Sequence, residues 1–185
     1  MPSGSTHDRI TLWTVPGLVI CTWYFSKSGR LTLILILAFL FSGLMFGPDL
    51  DIYSVQFKRW GKLRFLWIPY QKLLKHRSIF SHGPIIGNLI RIVYLLTILT
   101  ILGILIIGIG QLIWGFTWNW GEFRQIVWDL ATKEHKATFL ALYLGLELGA
   151  ISHILSDWLV SYYKSQSKKT RKKPRRRQSS PKKGR

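Results

Sequence analysis

The chain has five histidines, eight acidic residues and one cysteine in 185 residues, and their positions say more than their number. His153 and Asp157 stand four apart in SHILSD, which puts both on one face of a helix. Asp49 and Asp51 form PDLD after an apolar run, with Pro48 placed to fix the turn that aims them. His76 and His82 bracket HRSIFSH just before another apolar run, and His7 precedes the first one. Imidazole nitrogen combined with carboxylate oxygen suits zinc first, with manganese or iron as alternatives. Two or more carboxylates allow a second ion, with a water between the two activated for attack. Glu147 lies six residues before His153 and so points to a different side; it and His76 are the lesser ligand candidates. His135, in KEHK, reads as a solvated surface residue. With Cys21 alone, a disulfide framework and the CxxC zinc and iron–sulfur motifs are excluded.

These donors can meet only if the intervening apolar stretches bring their ends together. Residues 93–116 run without a charge, and about 20 such residues cross ~30 Å of hydrocarbon. Residues 139–160 form a second span, apolar apart from Glu147, His153 and Asp157, with a Gly145-x-x-x-Gly149 spacing that permits close helix approach. Two shorter runs, 10–25 and 31–47, joined by SKSGR, read as a helical hairpin whose first arm bends at Pro16–Gly17. A signal peptide fits the start poorly, because MPSGSTHDR lacks a basic region and no small-x-small site precedes Lys27. Gly83 and Pro84 read as the start of the third helix, with proline at its first position.

Basic residues orient these elements. Seven lie between positions 48 and 84 and 12 in the tail, whereas the loop 118–138 balances three bases with three acids. The positive-inside rule then puts the long loop and both termini in the cytoplasm. Lys27 and Arg30 face outward in that topology, against the rule, while Trp114, Trp118 and Trp120 fit an outer aromatic belt. Four distant segments thereby deliver His7, Asp49/Asp51, His76/His82 and His153/Asp157 to the cytoplasmic boundary. A charge within a membrane helix costs at least ~2.5–3.5 kcal/mol, so Asp157 and Glu147 require partners.

Hydrophobic residues make up 48% of the chain and charged residues 18%, with 26 basic against 8 acidic. Such numbers argue against an ordinary soluble domain and are reconciled by segregation of apolar and basic residues along the chain. The expected fold is all-α: a polytopic membrane bundle of about four helices over residues 1–163, with a partly helical cytoplasmic loop between the second and third. Residues 164–185 follow as a disordered polybasic tail. Attraction to anionic lipid head groups, worth about 1 kcal/mol per Lys or Arg, is the main expectation for that tail. Non-specific contact with nucleic acid is the alternative, without base reading, since the tail has no aromatic residue.

MPSGSTHDRIT, GLMFGPDLD, RWG with LRFLWIPY, HRSIFSHGPIIG and GLELGAISHILSDW together resemble a family of predicted metal-binding membrane proteins common in cyanobacteria, over roughly residues 1–163. More widely, the early His, the PDxD turn, the HRxxxH-like element and the late HxxxD helix are similar to the YdjM-type inner-membrane predicted metal-dependent hydrolases. The resemblance implies His7, Asp49 or Asp51, His82, His153 and Asp157 as ligands, and a bacterial plasma membrane or thylakoid location. The expected function is therefore that of a divalent-metal-binding membrane protein hydrolysing phosphoester or lipid-head-group substrates. Asp49 or Asp157 would serve as general base and Arg77 as the holder of an anionic substrate. A scaffold whose His/Asp cluster only ties helices together is the alternative. A metal or proton transporter is a third, disfavoured by the nearly unbroken apolar middle of the third helix.

Overall fold

The computed structural model describes residues 4–130, 132 and 135–171. Among them the long elements are four helices: α1 (Gly4–Ser26), α2 (Gly29–Leu44), α6 (Ile86–Trp114) and α8 (Lys136–Arg171). Helix α1 starts earlier than the apolar run suggests, so His7 lies inside its first two turns rather than ahead of it. The α1–α2 turn is made by Lys27, at φ 49, and by Ser28, whose side chain accepts the Leu31 N–H. The Lys27 ammonium lies 4.3 Å from the Tyr24 ring centroid and 5.8 Å from that of Trp23.

Helix α8 packs along α2 through the small residues the GxxxG spacing supplies. At Gly145 a Cβ would run into the Leu35 carbonyl, and at Gly149 one would sit 2.6 Å from the Phe39 oxygen. No side chain fits there, and the close approach lets Ser42 donate to the Leu146 carbonyl at 2.6 Å. Thr11 packs equally tightly against Gly43, so α1 runs antiparallel beside α2.

Between α2 and α6 the chain is a string of short helical pieces: a 3-10 turn (Pro48–Asp51), α3 (Val55–Arg59), a 3-10 segment (Gly61–Trp67), α4 (Ile68–Leu73) and α5 (Ile79–His82). Its core is aromatic, with Trp67 packed edge-to-face against Phe46 and Tyr70 and tilted against Tyr94, at centroid distances of 5.5–5.6 Å. Each such pair contributes about 0.5–1.5 kcal/mol beyond its buried area. Burial pushes the Tyr70 phenol up to about 12, so it stays neutral. Arg59 clamps this segment to α1 with two hydrogen bonds to Asp8, and those bonds raise the guanidinium above its ordinary proton affinity.

Proline does not open α6. The helix begins at Ile86, after Ile85 at φ 66, and the Ile85 N–H donates to Glu147 Oε1 at 2.7 Å. A carboxylate from α8 therefore caps this helix, where the sequence pointed to Pro84. The loop after α6 contains a helix not foreseen, α7 (Trp120–Asp129), capped by Asn119. Helix α8 continues to Arg171, past the boundary expected at residue 163, because Lys, Arg and Gln are good helix formers. The rest of the basic tail, residues 172–185, lies outside the described residues. Among the described residues, three helical stretches are long and apolar enough to cross a membrane: Gly29–Asp51, Ile86–Trp114 and Lys136–Tyr163. Helix α1 has the length, at 23 residues, but is not among them.

Candidate metal centre

Among the described residues, two groups of donors form where the α1 N-terminus, the Pro48–Asp51 turn, the segment at α5 and the middle of α8 come together. In the first, one ligand atom each from His7, His153 and Asp157 lie within 4.8 Å of one another. In the second, atoms of Asp49, His76 and His82 do the same. His7 Nε2 is 3.3 Å from Asp157 Oδ1, and the His7 and His153 rings stack at 4.0 Å. Asp49 faces both groups: Oδ2 is 3.3 Å from His153 Nε2 and Oδ1 is 3.5 Å from His82 Nε2.

Hydrogen bonds behind the rings decide which nitrogen is free. His76 Nδ1 lies 2.8 Å from Asp51 Oδ1, and a carboxylate can only accept, so Nδ1 carries the proton. The Ser81 hydroxyl gives its one proton to Asp51 Oδ2 and must therefore accept from His82 Nδ1, 2.6 Å away. Ser156 donates to the His153 carbonyl at 2.8 Å and so accepts from His7 Nδ1 at 2.5 Å. Three rings are thus held with Nε2 as the lone-pair atom, the arrangement in which outer partners orient metal-ligating histidines. At His153 the neighbour is the Gln56 amide nitrogen at 3.4 Å, too long to fix the tautomer. The Nε2 atoms of His76, His82 and His153 and Asp49 Oδ1 are buried without a hydrogen bond. A buried polar atom without a partner costs about 1–3 kcal/mol, and a divalent cation is the partner that nitrogen and carboxylate lone pairs would share. The residues fit a metal.

The two PDLD carboxylates separate. A 3-10 turn advances about a third of a turn per residue, so Asp49 and Asp51 point different ways. Asp49 faces the histidine Nε2 atoms, whereas Asp51 stands behind His76 and His82 with both oxygens engaged. Glu147 belongs to neither group; its second oxygen accepts from Asn88 at 3.0 Å. His135 lies ahead of α8, 18 residues from His153, or about 27 Å along a helix. Arg77 is exposed on the turn before α5, at φ 61. Three supporting residues carry no recognisable spacing: Gln56, Ser81 and Ser156. Arg91 did leave a signal, as a lone charge at the edge of an apolar run. It is 1% exposed and donates to the Ser81 carbonyl at 2.9 Å, bracing the segment that presents His82.

A cavity of about 250 Å³ opens onto His7, Asp49 and His153, with Tyr53, Gln56 and Lys58 also in its wall. The Lys58 ammonium rests 4.9 Å from the Tyr53 ring centroid. A larger open cleft of about 720 Å³ lies over residues 117–126, but Glu122 is its one titratable wall residue, so the chemistry belongs to the smaller cavity.

Fold and donor set together define a helical protein whose His/Asp groups could hold a metal ion. The chain belongs to the family of uncharacterized metal-binding proteins DUF2227, whose pattern matches residues 2–167. It is also 37% identical over 60 residues to an uncharacterized protein of Aquifex aeolicus; the aligned stretch spans 32% of this chain and 42% of that relative. No solved structure matches it.

Proposed function

We propose that this metal-binding protein is an integral membrane hydrolase of phosphoester or lipid-head-group substrates, with its metal centre at the cytoplasmic face. One observation carries the reading: the unpartnered Nε2 atoms of His76, His82 and His153 gather beside the Asp49 carboxylate. Membrane location is supported by α6, whose most apolar stretch has no buried residue, an arrangement suited to lipid and unsuited to water. Helix α1, antiparallel beside α2, serves as the fourth crossing. Lys27, resting on Trp23 and Tyr24, then occupies the outer interface as a snorkelling cation. Basic residues of the 48–84 loop share an end with the donors, which favours the cytoplasmic side. A donor set of imidazole and carboxylate suits zinc, with manganese or iron as alternatives.

Such an ion supplies Lewis acidity to the scissile group and lowers the pKa of water at the site. The chain's own groups do the rest. Of the two cations, Lys58 lines the cavity and Arg77 does not, so Lys58 holds the anionic group. Both oxygens of Asp49 face histidines, whereas Asp157 turns only Oδ1 toward His7, so Asp157 Oδ2 takes the proton as water adds to phosphorus. The P–O ester bond breaks, and the proton passes from Asp157 to the departing alkoxide. Purified full-length protein should retain divalent metal by elemental analysis and lose it in the His82→Ala, His153→Ala double variant. Retained metal with no hydrolysis of phospholipid in vesicles would remove the enzyme and keep the metal protein; metal flux into vesicles would favour a transporter. Absence of metal would leave only a scaffold.

A further inference from the structure

The two donor groups share a border at Asp49. Two ligands of one ion are separated by at most twice a bond length, about 4.4 Å for bonds of 2.0–2.2 Å. Each group is nearly that compact, but the six donors do not all fall within 4.8 Å of one another. A single ion therefore cannot satisfy both groups. Whichever group it chose would leave buried lone pairs in the other, on His76 and His82 or on His153. Asp49 has one oxygen toward each group, 3.3 Å from His153 Nε2 and 3.5 Å from His82 Nε2.

We propose that the centre binds two divalent ions bridged by Asp49, which gives Oδ2 to the first and Oδ1 to the second. This rests on the metal-binding reading. The first ion takes His7, His153 and Asp157, with Asp49 Oδ2 joining them from beside His153. His7, His153 and Asp49 line the cavity, so this position is the one that meets substrate. The second takes His76, His82 and Asp49, three protein donors; neither histidine lines the cavity, and water completes this position. The two positions are therefore unequal. The first, with one more protein donor, binds more tightly than the second, and loss of the shared carboxylate weakens both. Charge agrees with an anionic substrate: two divalent ions against Asp49, Asp157 and the Asp51 carboxylate behind them leave an excess of one positive charge.

The test uses the full chain in detergent, stripped with chelator and reloaded with manganese(II). Metal counting should give two ions per chain, titration calorimetry two steps of different affinity, and electron paramagnetic resonance the spin-coupled signal of carboxylate-bridged ions. His76→Ala should hold one ion per chain with an uncoupled spectrum. His82→Gln, which keeps a polar side chain of similar length, is the second route to that result. Asp49→Ala should abolish the coupling. Saturation of the unaltered protein at one ion, two ions without coupling, or two coupled ions in Asp49→Ala would each overturn the proposal. No bound ion at all would instead remove the metal-binding reading beneath it.

Discussion

The two ends of α6 are made by different rules. At its N-terminal end Gly87, Asn88 and Arg91 are buried, Glu147 caps the helix, and Arg91 reaches the Ser81 carbonyl. From Leu96 to Ile109 the same helix has no buried residue: Leu99, Ile104 and Leu105 are each about half exposed. One end is specified by partners within the chain, and the other only by the medium around it. A helix can thus be apolar throughout and still have a register, provided a few polar groups at one end fix its rotation. In this fold that fixed end is the one that supports the donors.

Substitutions at the two ends should separate these rules. Arg91→Met removes a buried charge whose surroundings include Asp51 and Glu147, and should cost about 3–5 kcal/mol, read as a lowered unfolding temperature in micelles. Ile104→Lys, on the bare half, should leave the micellar protein folded but oppose insertion by ~2.5–3.5 kcal/mol, read as membrane-integrated fraction in a translocation assay. Unchanged insertion would mean that this face does not meet lipid. Asp51→Asn keeps the shape behind His76 and His82 but weakens their orientation. It should lower metal affinity by about 10–100-fold with little change in melting. Leu105→Ala should be nearly silent, within about 0.5 kcal/mol, and a larger effect would reveal a partner covering α6.

Much of the site is legible in the sequence. His153–Asp157 spacing, PDLD and the paired histidines of HRSIFSH mark segments that meet, and the Gly145/Gly149 spacing marks a close helix approach, though not that its partner is α2. What could not be read was the division of labour within a motif. Asp49 and Asp51 are the same residue type two positions apart, and only the 3-10 turn gives one the Nε2 atoms and the other the backs of the rings. Gln56, Ser81 and Ser156 act through single hydrogen bonds across long sequence separations, and such bonds leave no periodicity. The Pro84 expectation failed because a tertiary contact, Glu147 to Ile85, outranked the local preference of proline.

The pairing of His7 with Ser156 spans 149 positions and joins the first helix to the last. During synthesis the early half of that donor set emerges long before the late half exists. A chain stopped short of residue 153 lacks His153 and Asp157, two of the three donors of one group, although Asp49, His76 and His82 of the other are already made. The first group can therefore close only after α8 exists, and the order of synthesis separates the two.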